Sequence, residues 1–142
     1  MYLSREGDRR EGVLLRQGRG WFQVSGIGHE AIAALSLVME EDDHLFGHYR
    51  DRALLLARGI TNYEIALAYF GKRNSSSGGR QMPAHASCPK RKIWTQLTPT
   101  GASVLPACGT AWGMKLEQKN SAVIATIGDA STRQGEFFEA VA

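Results

Sequence analysis

One acidic residue occupies a position typical of ligand binding in α/β proteins. Asp129 follows directly after the β-branched stretch 122–127, and Gly128 precedes it. In open α/β sheets, ligands bind beyond the carboxyl ends of the strands, and an aspartate there is suited to hold a divalent cation through oxygen. The alternative is a turn aspartate that caps the following helix through a backbone N–H. From this motif alone, the capping alternative is favoured.

A second motif combines an aromatic ring with a guanidinium group. Tyr49 and Arg50 stand between His48 and Asp51. The planar side chain of Arg50 suits a phosphate oxygen, because its fork donates two hydrogen bonds. A surface Arg50 paired with Asp51 is the simpler alternative, and this motif alone favours it. His44 and His48 have the spacing of a helical metal pair, but their flanks are not clearly helical, which disfavours a metal site.

Two glycine-containing stretches complete the candidate motifs. His85 ends the stretch 79–85, Gly-Arg-Gln-Met-Pro-Ala-His. A loop histidine can exchange protons near neutral pH, although a lone histidine in a long loop is more often solvated. Residues 26–31, Gly-Ile-Gly-His-Glu-Ala, suit a tight entry to a helix. They are not a dinucleotide-binding fingerprint, because no strand precedes them and the third glycine is missing.

Composition narrows the function classes. The 142 residues predict one domain, and 43% hydrophobic with 22% charged residues is ordinary globular composition. The net charge of +3 is only mildly basic, and the basic residues are not interleaved with aromatics, so nucleic-acid binding is not indicated. Cys88 and Cys108 are too few for a disulfide framework or a zinc site. No apolar stretch indicates a membrane span or a secretory signal, so a cytoplasmic protein is expected, or a mitochondrial matrix protein if a leader was removed.

The hydrophobic pattern predicts several helices and one strand. Helices are predicted at 29–39, 51–57, 61–70, 104–117 and from 135 onward. Residues 1–17 form at most a weak helix, since they contain two glycines, and Gly59 ends a helix. The stretch 122–127 predicts a buried parallel strand, and residues 44–50 a loop or a short strand. Residues 71–92 form a long loop, of the kind that is usually functional or mobile.

Three helices carry more specific signals. Thr61 and Glu64 have the spacing of a capping box. The small residues along one side of the helix 104–117 predict close packing against another element. The last helix is expected to bury Phe137 and Phe138 and to lead into a further strand, because one strand does not make a sheet.

The order of these motifs resembles one protein family. The stretches that carry the resemblance are Gly28-His29-Glu30-Ala31, Tyr49-Arg50-Asp51, residues 79–85, Thr98-Pro99 and Gly128-Asp129. The chain resembles the alpha subunit of the decarboxylating first component of 2-oxo acid dehydrogenase complexes. Residues 19–22, Arg-Gly-Trp-Phe, and the stretch 79–85 are most similar to the branched-chain, or 2-oxoisovalerate, type. The resemblance covers nearly the whole chain.

The resemblance implies a thiamine-diphosphate-binding α/β fold, a parallel sheet flanked by helices, of which this chain holds a truncated part. Residues 1–142 would belong to the diphosphate-binding domain, with residues 1–27 as its N-terminal arm, and the domain would continue beyond residue 142. The cofactor would lie between this domain and the pyrimidine-binding domain of a beta subunit, which is either separate or fused.

The resemblance also implies roles for individual residues. Tyr49 and Arg50 match residues that hold the diphosphate of the cofactor. Thr98 and Thr100 match a segment that packs near the cofactor and, in some members, binds potassium. His85 matches a loop histidine close to the active-site entrance, and it is the candidate catalytic residue.

The thiamine motif of the family begins at Gly128, Asp129 and Ala130, and Asp129 matches its first magnesium ligand. The family usually has glycine where this chain has Ala130, and alanine would cost about 1 kcal/mol if the position required a positive φ. Ala102 and Ser103 also depart from the family at the potassium segment. The asparagine that closes the motif would lie beyond residue 142, so we expect the isolated fragment to be inactive.

The implied function is oxidative decarboxylation of a 2-oxo acid, branched-chain or pyruvate, with thiamine diphosphate and Mg²⁺. The acyl group would pass to a lipoyl-bearing acyltransferase, with a beta subunit as the other partner and with neither nucleic acid nor membrane involved. Three alternatives stay open. They are an acetoin-type or pyruvate-type dehydrogenase, a degenerate non-catalytic partner subunit, and a basic anion- or RNA-binding module.

Overall fold

The computed structural model describes residues 1–142, which form helices around a small parallel sheet. The two strands are β1 (His44–Phe46) and β2 (Val123–Ala125), and they pair in parallel with His44 opposite Val123 and Phe46 opposite Ala125. Ile93 extends the sheet on the other side of β1 through a single parallel bridge to Leu45. The sequence predicted β2, whereas β1 was predicted only as a loop or short strand.

Five α-helices and three 3₁₀ helices surround the sheet. The α-helices are α1 (Tyr2–Arg16), α2 (Arg52–Ala57), α3 (Asn62–Tyr69), α4 (Val104–Leu116) and α5 (Gly135–Val141). The 3₁₀ helices are Glu30–Leu37, Pro89–Arg91 and Asp129–Arg133. None of these helices is both long enough and apolar enough to cross a membrane.

The hydrophobic core lies between β1, α2 and α3. Its buried members are Met39, Leu45, Leu54, Leu55, Ile60, Ile65 and Ile93. Leu45 and Leu54 are fully buried, and Ile93 is nearly so. Burying one such side chain stabilises the fold by about 1.5–3 kcal/mol, so this cluster sets the position of the strand end that follows Phe46.

Local signals correctly predicted the region around α3. The Thr61 hydroxyl accepts a hydrogen bond from the Glu64 backbone N–H, and the Glu64 carboxylate accepts one from the Thr61 N–H, which completes the capping box. Gly59 has a φ of +91° directly after the last turn of α2, as expected for a glycine that ends a helix.

The N-terminal segment is a 15-residue helix, which corrects the prediction of a weak one. The Arg52 guanidinium occupies the space that a Cβ at position 7 would need, so Gly7 serves a close contact between α1 and α2. Arg52 also bonds the Glu11 carboxylate at 2.6 Å and the Asn62 side-chain oxygen at 3.0 Å. These contacts tie α1 to α2 and α3, and the local propensity of α1 does not reveal such tertiary partners.

The helix predicted at 29–39 is a 3₁₀ helix over Glu30–Leu37. Its exposed positions, 31, 34 and 37, repeat every three residues. A repeat of three matches the three residues per turn of a 3₁₀ helix and places Ile32 and Leu35 against the core. Packing against α2 therefore decides the helix type here.

Three burial predictions were wrong in part. In β2, Val123 and Ile124 are only half-buried and Ala125 is exposed, because one strand alone flanks β2. Phe138 is 57% exposed, while Phe137 is half-buried. The small-residue side of α4 is buried at Ala107 but exposed at Gly109, Ala111 and Gly113. Each of these predictions assumed a neighbouring element that does not cover these residues in the described chain.

A buried aspartate holds the beginnings of the two strands together. Asp43 is 6% exposed, and its carboxylate accepts hydrogen bonds from the backbone N–H of Ala122 at 2.7 Å and of Glu40 at 2.8 Å. These bonds to the charged form lower the pKa of Asp43 below its ordinary value. The carboxylate thus joins two segments that are distant in the chain.

We predict that Asp43→Ala lowers the free energy of unfolding by about 1–3 kcal/mol, because it leaves two backbone N–H groups without their charged acceptor. Equilibrium urea denaturation measures this loss. Because the pKa of Asp43 is lowered in the folded state, its contribution is fully present above the unfolded pKa of about 3.9 and is lost as the pH falls through the folded value. Asp42→Ala is the matched control, since Asp42 is exposed. Equal stability of the two variants at pH 7 would contradict the assignment.

Candidate functional site

The carboxyl ends of β1 and β2 bring two of the candidate motifs to the same edge of the sheet. The His48 N–H donates hydrogen bonds to the Thr126 hydroxyl at 2.8 Å and to the Asp51 carboxylate at 2.9 Å. The Thr126 hydroxyl itself donates to the same carboxylate oxygen of Asp51. These hydrogen bonds attach the turn that contains Tyr49 and Arg50 to Thr126 at the end of β2.

This network overturns the simpler reading of the Arg50 motif. Asp51 is 4% exposed, and its carboxylate is occupied by His48 and Thr126. The guanidinium of Arg50 is not paired with Asp51; it donates a hydrogen bond to the Ser25 carbonyl at 2.8 Å. Arg50 therefore keeps its positive charge uncompensated by a carboxylate partner.

Arg50 is packed on its aromatic neighbour and on a glycine. Its guanidinium carbon lies 5.6 Å from the centroid of the Tyr49 ring, a cation–π distance that holds both groups in one orientation. A Cβ at Gly26 would lie 2.5 Å from the Arg50 carbonyl oxygen, so only glycine permits this approach. The Gly26 N–H in turn donates to the Asp8 carboxylate at 2.9 Å. The arm therefore helps to position Arg50.

His48 supports the turn as a neutral imidazole. Its Nδ1 accepts a hydrogen bond from the Arg50 N–H at 3.3 Å. Burial lowers the pKa of His48, and the nearby Asp51 carboxylate opposes this shift. The ring centroid of His48 lies 3.9 Å from that of Tyr49. The helical geometry of a His44–His48 metal pair is absent, because His44 lies in β1 and His48 beyond its end.

His85 is buried beside Tyr49, so the solvated alternative for this histidine was wrong. It is 3% exposed, and its ring centroid lies 5.8 Å from that of Tyr49. Its Nδ1 is 3.0 Å from the Pro83 carbonyl oxygen and its Nε2 is 2.9 Å from the Thr98 hydroxyl. Because a carbonyl only accepts, these partners assign the proton to Nδ1 and leave Nε2 as the acceptor from Thr98. Proton exchange at Nε2 requires the Thr98 hydroxyl to turn away.

The segment from Thr98 to Thr100 connects His85 to the region after β2. Thr98 and Thr100 are both exposed. A Cβ at Gly101 would lie 3.3 Å from the Gln134 Cβ and 3.8 Å from the Ser131 carbonyl oxygen. The turn at Gly101, with a φ of +81°, therefore rests on the 3₁₀ helix that begins at Asp129.

Asp129 presents a free carboxylate. It is exposed, and the 3₁₀ helix Asp129–Arg133 has no side-chain cap, so the capping alternative was wrong. Positive φ among non-glycine residues is confined to Ala84, Lys92 and Gln118. Ala130 thus adopts an ordinary conformation, and the strain expected from a missing glycine does not arise. No group of three His, Cys, Asp or Glu side chains is gathered to hold a metal ion.

The candidate residues fall into two linked groups. Tyr49, Arg50, His85 and Thr98 are joined through ring contacts and hydrogen bonds. The second group lies in two adjoining segments: Thr100 precedes α4, and Gly128, Asp129 and Ala130 follow β2. A cavity of about 430 Å³ opens between α2, α3 and the loop 74–90, with Tyr49 and His85 in its wall.

Sequence reasoning missed Thr126 and the structural role of Asp51. Thr126 was counted as part of a β-branched run, although it carries the one hydroxyl in the stretch 122–127. A hydroxyl at the end of an otherwise apolar strand is the signal that could have identified it. Asp51 offered no such signal, because its partner is 75 positions away.

We predict that Thr126→Val lowers the free energy of unfolding by about 1–2 kcal/mol, because it removes a donor from a buried carboxylate without changing side-chain volume. Exchange of the His48 amide should accelerate by about tenfold, which hydrogen-exchange mass spectrometry measures. Thr110→Val is the control, since the Thr110 hydroxyl bonds only the Pro106 carbonyl within α4. Unchanged exchange at His48 would show that Thr126 does not hold the turn.

Comparison with known proteins agrees with the motif order. The dehydrogenase E1 component family matches residues 1–142. The alpha subunit of 2-oxoisovalerate dehydrogenase from Bacillus subtilis is 36% identical over 142 residues, covering 98% of this chain and 43% of that protein. The mitochondrial alpha 2 subunit from Arabidopsis thaliana is 37% identical over 128 residues, with 89% and 27% covered. The mouse mitochondrial alpha subunit is 29% identical over 122 residues, with 85% and 28% covered. The chain thus spans less than half the length of these relatives, and it belongs to the dehydrogenase E1 component family.

Proposed function

We propose that the chain forms part of the alpha subunit of a branched-chain 2-oxo acid dehydrogenase that uses thiamine diphosphate and Mg²⁺. The observation that carries the proposal is the hydrogen-bonded link between the two strand ends. Through His48, Asp51 and Thr126, this link places Tyr49 and Arg50 at the same sheet edge as the segment that leads to Asp129. Ligands of parallel sheets bind at such an edge.

The donor set fits a diphosphate bound with a divalent cation. Arg50 has no carboxylate partner, and its remaining N–H groups suit phosphate oxygens. Tyr49 holds the Arg50 guanidinium against its ring. Asp129 supplies one carboxylate oxygen, and magnesium is commonly bound through one or two carboxylates together with substrate phosphates. Gly128 and Ala130, in ordinary backbone conformations, would leave the Asp129 carboxylate free to reach the cation.

Within this proposal the cofactor supplies the electron sink for decarboxylation, while the protein binds and orients it. His85 is placed to act beside Tyr49 and would exchange a proton at Nε2 once the Thr98 hydroxyl releases it. Thr100 would lie in the segment that packs near the cofactor. Ala102 and Ser103 depart from the family at the segment that binds potassium in some members, which disfavours a potassium ion there.

The remaining expectations rest on the relatives alone. Residues 1–142 would form part of the diphosphate-binding domain, with residues 1–27 as its arm, and a beta subunit would complete the cofactor site. A lipoyl-bearing acyltransferase would receive the acyl group. The relatives from Arabidopsis thaliana and mouse are named mitochondrial; we propose the mitochondrial matrix for a eukaryotic source and the cytoplasm for a bacterial one.

One observation weakens the degenerate-partner alternative. The replacement of glycine by Ala130 motivated that alternative, yet Ala130 does not adopt a positive φ. A pyruvate-type or acetoin-type dehydrogenase would use the same cofactor residues. Substrate tests separate these activities, because the chemistry of the diphosphate end is common to all of them.

We predict that the full-length chain, assembled with its partner subunit, reduces an artificial electron acceptor in the presence of a 2-oxo acid only when both thiamine diphosphate and Mg²⁺ are supplied. Asp129→Asn keeps the side-chain size but removes the charge that a magnesium ligand needs. It should lower activity by roughly tenfold or more at limiting Mg²⁺. A panel of branched-chain 2-oxo acids, pyruvate and acetoin identifies the substrate.

Asp42→Asn is the matched control, because Asp42 is exposed and precedes β1 at the opposite end of the strand. It should keep full activity. A folded assembly that neither turns over any of these substrates nor binds thiamine diphosphate would contradict the enzymatic proposal and favour a non-catalytic partner subunit.

A further inference from the structure

A buried glutamine amide joins the turn that carries Tyr49 and Arg50 to the loop that carries His85. We propose that Gln96 is a positioning residue that fixes the Tyr49–Arg50 turn relative to His85 and thereby sets the affinity for the diphosphate cofactor. The proposal rests on the proposed function, and it concerns a residue that none of the sequence motifs includes.

Both ends of the Gln96 amide are engaged, and each binds a different segment. Its Nε2 donates to the His48 carbonyl at 2.7 Å, and its Oε1 accepts from the Ala86 N–H at 3.0 Å. The backbone N–H of Gln96 also donates to the Ala86 carbonyl at 3.4 Å. Because one partner only accepts and the other only donates, the orientation of the amide is determined. The side chain is 2% exposed.

The two contacted backbone groups adjoin the candidate site residues. The His48 carbonyl immediately precedes Tyr49, and the Ala86 N–H immediately follows His85. Two residues after Gln96, the Thr98 hydroxyl bonds the His85 ring. The segment 96–98 thus contacts the backbone that follows His85 and the His85 side chain, and it also contacts the turn that carries Tyr49.

The surroundings of Gln96 are shaped for this contact. A Cβ at Gly47 would lie 3.3 Å from Gln96 Nε2, tighter than nearly all real contacts, so the glycine lets the amide approach the turn. Removal of the amide would leave the His48 carbonyl and the Ala86 N–H buried without this partner. A buried polar group that loses its partner costs more than the bond itself contributes, so the turn and the loop are expected to separate or shift.

Two variants of the full-length assembled protein separate the halves of the contact. Gln96→Met removes both hydrogen bonds at similar length. Gln96→Glu keeps an acceptor for the Ala86 N–H but places a carboxylate oxygen against the His48 carbonyl. Gln17→Met is the control for the same change of side chain, since Gln17 is exposed at the end of α1.

Three readouts are compared across the variants. The dissociation constant for thiamine diphosphate is measured by quenching of intrinsic fluorescence, and kcat is measured at saturating cofactor. Hydrogen exchange is followed over residues 46–52 and 84–88. Modification of His85 by diethyl pyrocarbonate is quantified by mass spectrometry, with the exposed His29 as internal reference.

For Gln96→Met we expect a dissociation constant for thiamine diphosphate raised by about tenfold, faster exchange in both segments and faster modification of His85. For Gln96→Glu we expect the same loss of affinity with His85 still protected. In Gln96→Glu, where His85 stays in place, kcat at saturating cofactor should stay within about twofold of wild type, whereas in Gln96→Met the displaced His85 should lower kcat as well. A merely structural role would lower the active fraction and leave the dissociation constant unchanged.

An unchanged dissociation constant in both variants, or an equal rise in Gln17→Met, would overturn the proposal. If the wild-type assembly fails to bind thiamine diphosphate, the proposed function fails and the claim on cofactor affinity fails with it. Hydrogen exchange then still decides the physical part: simultaneous loosening of residues 46–52 and 84–88 in Gln96→Met supports the coupling, and protected segments overturn it.

Discussion

The parallel pairing of β1 with β2 is the constraint on which the rest of the molecule depends. Each strand has only three residues, and so short a pair is marginal by itself. Two buried aspartates reinforce it from both ends. Asp43 bonds Ala122 across 79 positions of sequence before the strands begin, and Asp51 bonds Thr126 across 75 positions after they end. These two carboxylates therefore stabilise a strand pairing that would be weak by itself.

The acidic residues at the sheet differ in burial and in their hydrogen-bond partners. Asp43 and Asp51 are buried, and backbone N–H or hydroxyl donors satisfy their charge. Asp129 is exposed and has no such donors. A carboxylate saturated by protein donors is a poor cation ligand, whereas an unsatisfied one at a strand end is suited to bind a cation. Of these three carboxylates, only that of Asp129 is free of protein donors.

Sequence alone predicted the features that depend on neighbouring residues. The capping box at Thr61 and the helix-ending Gly59 need only residues within four positions, and the family motifs predicted the candidate residues around Arg50 and Asp129. The rest depends on partners far along the chain. The turn after β1 is held by Thr126, and the 3₁₀ form of Glu30–Leu37 follows from its packing on α2. No local pattern encodes such partners, so the Asp51 carboxylate was assigned to the adjacent arginine.

The N-terminal arm is part of the site's support, and this follows from where its charges lie. Asp8 and Glu11 face Arg52 at 3.9 Å and 2.6 Å, and burial raises the pKa of both carboxyls despite this cation. Breaking a buried ion pair by removing one partner is strongly destabilising, which makes the arm's attachment specific. Asp8 also accepts from the Gly26 N–H, next to the carbonyl that Arg50 binds. The phosphate-binding candidate Arg50 is therefore oriented by an interaction that begins in α1, so the arm and the strand junction act on the same side chain from opposite sides.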